Sequence, residues 1–443
     1  NPRAQHGAAA TSGRPRLISL APDSTIELPN WCRNLPAVDV TTRLPALAAI
    51  AAAVLATENR KECNMNTASG FDSRIFGFGM PRLVMGMGAR NQLAEHAQAF
   101  GQRACVVSDP GVAAQPQFHE LLQSLQAAGL QVTTYTEVLP DPPLRIVEDC
   151  AQVARTCEAD LIVGVGGGSA LDVAKIAAVL KQHEVPIESM FGTDQTPGRG
   201  IPTILLPTTA GTGSEVTPIA VLSDEAYDLK RGIVSDDLLA DYALVDPELC
   251  LTLPPAPTAY TGMDTLTHAI EAYTNKFAVP LIDAFALEAV RLVATCLSRA
   301  VHHGDDRDAR YGMSLASLLG GLCLKSVNTA AVHALAYPLG GRFHVPHGVA
   351  NSLLLPHVMR FNAPVAADRY ATIGEVMGST DCVAAVEALS ADVGTDKRMR
   401  EFGVEQQHIS EMATAAMEVQ RLLKNNPREV TLPDAQAIYE QAW

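Results

Sequence analysis

The sequence predicts a chain of two unlike halves, an α/β domain followed by an all-helical domain. Three observations carry that expectation. Strand-like and helix-like runs alternate through the first half, and one glycine-rich turn leads straight from an apolar run into a helical one. After "ALVDPEL" (243–249) no run has the alternation or β-branched content of a strand, while helical periodicity persists.

Taken in order, "ACVVSD" (104–109) is a short apolar run closed by a turn at "DPG". "QFHELLQSLQAAG" (117–129) has helical spacing and a glycine stop, and "QVTTYTEV" (131–138) is rich in β-branched residues and reads as a strand. "RIVEDCAQVARTC" (145–157) is helical again, and "DLIVGVGGGS" (160–169) is a buried strand running into a glycine loop. "IPTILLPTTAGTGSEVTPIAVLSD" (201–224) adds two strands around a polar loop. This alternation implies parallel strands joined by helical crossovers. Pro254, Pro255 and Pro257 mark the join to the second half, where 280–300, 308–325 and 383–401 have helical periodicity. The expected bounds are an α/β domain over 73–248 and a helical domain over 249–443, with a ligand cleft between them.

Residues 1–72 stand apart as a low-complexity extension with no catalytic part. Its apolar run, Leu44–Ala56, falls short of the roughly 20 residues a membrane span needs. It also lies too far along the chain for the core of a signal peptide.

Composition narrows the function class. The chain has 33 Lys plus Arg against 48 Asp plus Glu, a formal net charge of −15. Nucleic-acid binding draws on basic surface, so a phosphate backbone is excluded as the expected partner, and no span suggests a membrane. The nine cysteines include no CxxC pair, which fits a reducing, intracellular setting. Small-molecule chemistry is the expectation.

The glycine loop is "GVGGGSALDVAK" (164–175). Gly166, Gly167 and Gly168 let backbone N–H groups approach an anion, and Ser169 is expected at the N-cap, where the helix dipole favours phosphate. "TTAGTGSE" (208–215) is a second loop of hydroxyls and glycines after an apolar strand. Asp109 ends an early strand, where a carboxylate accepts ribose hydroxyls and repels a 2′-phosphate; a turn-forming role before Pro110 is the competing reading. Together the loops favour a dinucleotide, NAD rather than NADP.

"GMDTLTHAIEAY" (262–273) places Asp264 one helical turn before His268. Two readings stand, a satisfied local pair or half of a metal site. "VHALAYPLGGRFHVPHGVANSLLLPHVMRFN" (332–362) then brings His333, His344, His347 and His357 into one short stretch. One carboxylate with three neutral imidazoles suits Fe(II) or Zn(II). Spacing chooses neither the metal nor the three histidines, although His357, inside an apolar helical run after Pro356, reads as structural.

In this order, "GGGSALDVAK", "LPTTAGTGSEVT", "GMDTLTHAIEAY" and the histidine stretch resemble the iron-containing (group III) alcohol dehydrogenases. The likeness runs from about residue 73 to the ending "NNPREVTLPDAQAIYEQAW". It implies a dehydroquinate synthase-like architecture, an N-terminal dinucleotide-binding α/β domain and a helical metal-binding domain with the site between them. It implies Asp264, His268, His333 and His347 as metal ligands, so His347 is selected over His344 and His357. Cofactor contacts are implied at Asp109, Gly167, Gly168, Ser169, Asp172, Thr208, Thr209, Thr212 and Lys230.

The implied activity is an NAD-linked, metal-dependent interconversion of an alcohol with an aldehyde or ketone. It belongs to a cytoplasmic homodimer or larger homo-oligomer. Two departures stand out. Tyr337 occupies a position where many members carry histidine, which makes Tyr337 or His344 the candidate proton carrier and points towards hydroxy or oxo acids. Alternative readings are therefore a 4-hydroxybutyrate-type dehydrogenase or a maleylacetate reductase-like enzyme; a non-redox dehydroquinate synthase-like enzyme is a more distant rival. Asp141, in "LPDPP" (139–143), takes the place of a usual asparagine. Arg342 is a candidate for meeting a substrate carboxylate, against the plainer reading of a surface arginine.

Overall fold

The computed structural model describes residues 77–225 and 229–443, so the extension expected over 1–72 lies outside it. Strands β1 (Arg82–Met85), β2 (Arg103–Val107), β3 (Gln131–Tyr135), β4 (Leu161–Gly166), β5 (Gly192–Thr193), β6 (Thr203–Pro207), β7 (Ile219–Asp224), β8 (Leu229–Val234) and β9 (Tyr242–Val245) form two sheets. The larger is wholly parallel, in the order β1-β9-β6-β4-β2-β3. Helices α1 (Leu93–Gln98), α2 (Pro110–Ala113), α3 (Pro116–Ala127), α4 (Leu144–Thr156) and α5 (Gly168–Gln182) provide the crossovers.

Both faces of this sheet are covered, α4 and α5 packing on one and α1 and α3 on the other. Every residue of β4 and β6 is buried, which explains why their sequences are continuous apolar runs. The chain leaves β2 for β3 on one side, then returns past β2 to β4 on the other. Such a reversal opens a crevice at the carboxyl ends of the strands. Asp109 follows β2 there, and the three glycines carry the chain from the end of β4 into α5.

The second sheet, β5-β8-β7, was not legible as a separate unit. β7 pairs antiparallel with β8 and its residues alternate between half-buried and buried, the pattern of a sheet covered on one face. An antiparallel strand pair thus joins the cleft wall, where the sequence suggested one more strand of the main sheet.

From Pro255 onward the described residues are helical: α6 (Pro255–Thr274), α7 (Pro280–His302), α8 (Arg307–Val327), α9 (Ala331–Phe343), α10 (His347–Val376), α11 (Cys382–Asp392), α12 (Ile409–Met417), α13 (Gln420–Leu423) and α14 (Leu432–Ala442). The helix expected over 383–401 stops at Asp392, because Gly394 turns the chain through a positive φ of 75°. Helix α10 is broken at Ala366, where φ is −132°. No single described helix is long and apolar enough to cross a membrane. Both halves belong to one compact unit, Ser73–Trp443.

Two contacts set the helices that matter for function. The buried Tyr439 of α14 donates its hydroxyl to the Leu335 carbonyl of α9 at 2.6 Å. The first turn of α10 lies so close to α6 that a Cβ on Gly348 would sit 1.9 Å from the Tyr260 carbonyl oxygen. Gly348→Ala should therefore push α10 off α6 and cost about 2 kcal/mol or more in urea unfolding, as overpacking does. Unchanged stability would show that the two helices can separate freely.

Candidate active site

Helix α6 points Asp264, His268 and Glu271 to one side, at i, i+4 and i+7. Helix α9 adds His333 and Tyr337, one turn apart, and the first residue of α10 adds His347. Asp264 Oδ1 lies 3.8 Å from His268 Nε2, 3.6 Å from His333 Nε2 and 3.6 Å from His347 Nε2. The His268 and His333 rings stack at 4.8 Å. Asp264, His268 and His333 are deeply buried, whereas the His347 side chain is 33% exposed and stands at the mouth.

The donor set fits a divalent cation. Bonds of about 2.1 Å in a tetrahedron hold ligand atoms about 3.4 Å apart, close to the separations here. Among the described residues the amide that faces them is Asn351 Nδ2, at 2.7 Å from Asp264 Oδ1, 3.1 Å from His333 Nε2 and 3.2 Å from His347 Nε2. One amide with two protons cannot satisfy three acceptors, and its own Oδ1 is buried without a partner.

Glu271 supports the set from behind. It accepts the Ala330 and Val332 amides at 3.0 and 2.6 Å and faces His333 Nδ1 at 2.6 Å. That contact orients the ring so that Nε2 faces Asp264. Burial opposes charge on every group here. On Asp264 the imidazoles outweigh it and hold the carboxyl well below the usual carboxylate range. On His333 the neighbouring Glu271 and Asp264 outweigh burial and raise the ring to about 9, whereas burial takes His347 down to about 4 and lowers His268.

The dinucleotide candidates meet in the crevice. Asp109, Gly167, Gly168, Ser169, Thr208 and Thr209 line one cavity, and Gly168, Ser169, Asp172, Thr212 and Lys230 line a second that holds the histidine cluster. The glycine loop and the polar loop interlock, since a Cβ on Gly168 would lie 2.7 Å from Thr212 Cγ2. One expectation is amended. The N-cap of α5 is Gly167, not Ser169, which lies inside the first turn. Asp109 does cap α2, its Oδ1 accepting the Gly111 and Val112 amides at 2.9 and 3.0 Å, while still lining the crevice. Asp172 has both oxygens engaged, by Ser214 at 2.5 Å and the Val221 amide at 2.9 Å, so it braces the loop. Thr265 ties that same loop to α6 through the Ala210 and Gly211 carbonyls.

Lys230 Nζ pairs with Asp141 at 2.6 Å, which gives Asp141 its place at the cleft. His344 is not brought to the cluster; it is exposed and closes α9 with a positive φ of 53°. Arg342 also stays outside, exposed and paired with Glu411. Sequence reasoning missed Glu271, Asn351 and Arg421. The helical spacing of Glu271 from Asp264 was a usable signal, and so was that of Asn351 from His347; Arg421 is far in sequence from everything it faces.

Comparison with known proteins matches residues 81–247 to the iron-containing alcohol dehydrogenase model and 258–443 to the C-terminal model of the Fe-containing alcohol dehydrogenase family. The chain belongs to the iron-containing alcohol dehydrogenase family. A long-chain-alcohol dehydrogenase of Geobacillus thermodenitrificans is 41% identical, over 82% of this chain and 95% of that protein. A sulfoacetaldehyde reductase of Bilophila wadsworthia is 34% identical, over 81% and 96%. Among solved structures, a 1,3-propanediol oxidoreductase superposes with a TM-score of 0.81 at 37% identity, over 84% of this chain and all of the other. A sulfoacetaldehyde reductase from Bifidobacterium kashiwanohense in complex with NAD+ gives 0.78 at 31%, over 83% and 99%. This iron-type dehydrogenase is thus an NAD-linked, metal-dependent enzyme that interconverts alcohols and aldehydes.

Two predictions follow from the site's geometry. Glu271→Gln should keep the fold but lower metal affinity about 10- to 100-fold in a chelator competition, because His333 loses its orienting acceptor. Equal affinity would remove Glu271 from the support of the site. The second concerns Glu215, the buried last residue of the polar loop, near Lys175. Burial pushes its carboxyl up to about 7, against the pull of a backbone amide and Lys175. The unfolded chain ionises first, so this group's contribution is full below about 4.5 and is lost as pH rises towards and through 7. The stability of Glu215→Gln relative to the wild type should therefore rise between pH 5 and 7.5 in urea titrations; a constant difference would refute the burial argument.

Proposed function

We propose that Asp264, His268, His333 and His347 hold the iron, and that the 73–248 half binds NAD while the 249–443 half carries the metal. What supports this is the convergence of three imidazole Nε2 atoms on one buried carboxylate oxygen with too few protein donors to satisfy them. When bound, the cation acts as a Lewis acid for the substrate oxygen and the nicotinamide carries the hydride.

The chain's own residues supply placement. The amides of Gly167, Gly168 and Ser169, at the start of α5, suit the pyrophosphate, with Thr208, Thr209 and Thr212 lining the path towards the cluster. Lys230, balanced by Asp141, reaches the ribose side, and Asp109 favours NAD over NADP by its charge. The Tyr337 hydroxyl, in the same cavity one helical turn from His333, is the group placed to pass the alcohol proton. A cytoplasmic homodimer or larger assembly completes this reading. It is supported by the free described cysteines and by exposed apolar side chains at Phe277 and Leu281.

The test is nicotinamide absorbance during turnover, on protein stripped by chelator and reloaded anaerobically with Fe(II) or Zn(II). Metal should restore NADH oxidation with butyraldehyde, and His347→Ala should lose about 100-fold or more, the scale of Lewis-acid stabilisation. Full activity in that variant would take His347 out of the ligand set.

A further inference from the structure

The cavity that holds the histidine cluster contains a second cation besides Lys230, the guanidinium of Arg421 from α13. Three carboxylates line this cavity, and each is already engaged. Asp141 pairs with Lys230, Asp172 with Lys175 and Ser214, and Asp264 with the imidazoles and Asn351. Among the described residues none lies within ion-pair distance of Arg421. Its side chain makes one long contact into the cavity, Nη2 donating to Tyr337 Oη at 3.4 Å, and its Nη1 is buried with no hydrogen-bond partner.

The strand beside it makes room for this arrangement. A Cβ on Gly232 of β8 would lie 3.1 Å from Arg421 Nη2, so glycine there lets the guanidinium lie against the backbone. Arg421 itself is half-buried, but a guanidinium N–H that is buried without an acceptor is costly, and an anion in the cavity would complete it. The same cavity wall carries Tyr337, so the guanidinium and the metal-ligand cluster border one substrate volume.

We infer that Arg421 is a specificity-determining residue that receives an anionic group, a carboxylate or sulfonate, on the end of the substrate remote from the reacting carbonyl. The inference rests on the alcohol–aldehyde reading above and deepens it by naming the substrate class. A carboxylate or sulfonate presents the paired oxygens that a guanidinium fork binds best, and it supplies the missing counter-charge. The aldehyde end then faces the histidine cluster, with Tyr337 between the two.

The experiment compares metal-loaded wild type, Arg421→Gln and Arg421→Lys on succinic semialdehyde, sulfoacetaldehyde and the uncharged butyraldehyde, with NADH. Losing a charge-assisted contact should lower kcat/KM for the anionic aldehydes about 10- to 100-fold in Arg421→Gln, mainly through KM, and leave butyraldehyde within about threefold. Arg421→Lys should recover part of that loss, and the carboxylate and sulfonate arms show which anion the site takes. Equal losses on all three aldehydes, or no loss on any, would overturn the assignment. Wild type that reduces none of them would count against the activity itself. Thermal shift then decides the inference separately: succinate, but not butyramide, should stabilise wild type and not Arg421→Gln, and identical shifts would overturn it.

Discussion

A negative charge buried without a lysine or arginine partner organises the helical half. Asp264 sits among three imidazoles and one amide, and those groups come from three different helices. Helix α6 brings the carboxylate and His268, α9 brings His333, and α10 brings His347. Each helix must therefore hold its angle to the others within a fraction of an ångström for the ligand atoms to converge. The contact of Gly348 with Tyr260, the Glu271 brace and the Tyr439 hydrogen bond serve that requirement. In the proposed reading, a cation held there would add to the charge balance that the imidazoles supply.

The α/β half meets a different constraint. Its polar loop lines the crevice directly after a fully buried strand. The solution is an internal strut. Lys175, entirely buried, donates to the carbonyls of Ser214 and Ile219 and pairs with Asp172, which in turn holds Ser214 and Val221. Charges held inside the domain thus shape the loop that lines the crevice, and Thr265 ties that loop to the helix carrying Asp264.

Much of this was legible in the sequence, for physical reasons. β4 and β6 are buried on both faces, so their apolar runs stand out, and α3 and α4 each bury one stripe, so their periodicity does too. β7 was legible as a strand from its apolar run, but its antiparallel partner β8, with Lys230, Arg231 and Gly232 at its centre, carries no such run. Ser169 was misjudged as a cap because glycine leaves no side chain to mark the true one. Glu271 hid in the same stretch as Asp264, where a brace behind a ligand has no signature of its own. Arg342 looked closer to the histidines than Arg421 only along the chain. Which arginine enters the cavity is decided by how α13 folds back over α9, which local pattern does not encode.

The hydroxyl of Tyr439 bears on how the protein folds. It closes the helix that carries His333 and Tyr337 across a sequence separation of 104 residues. A contact that spans so long a loop gains little until the intervening helices have packed, because the chain entropy of closing the loop is lost first. Helix α9 is therefore secured by one of the later contacts to form as the chain folds.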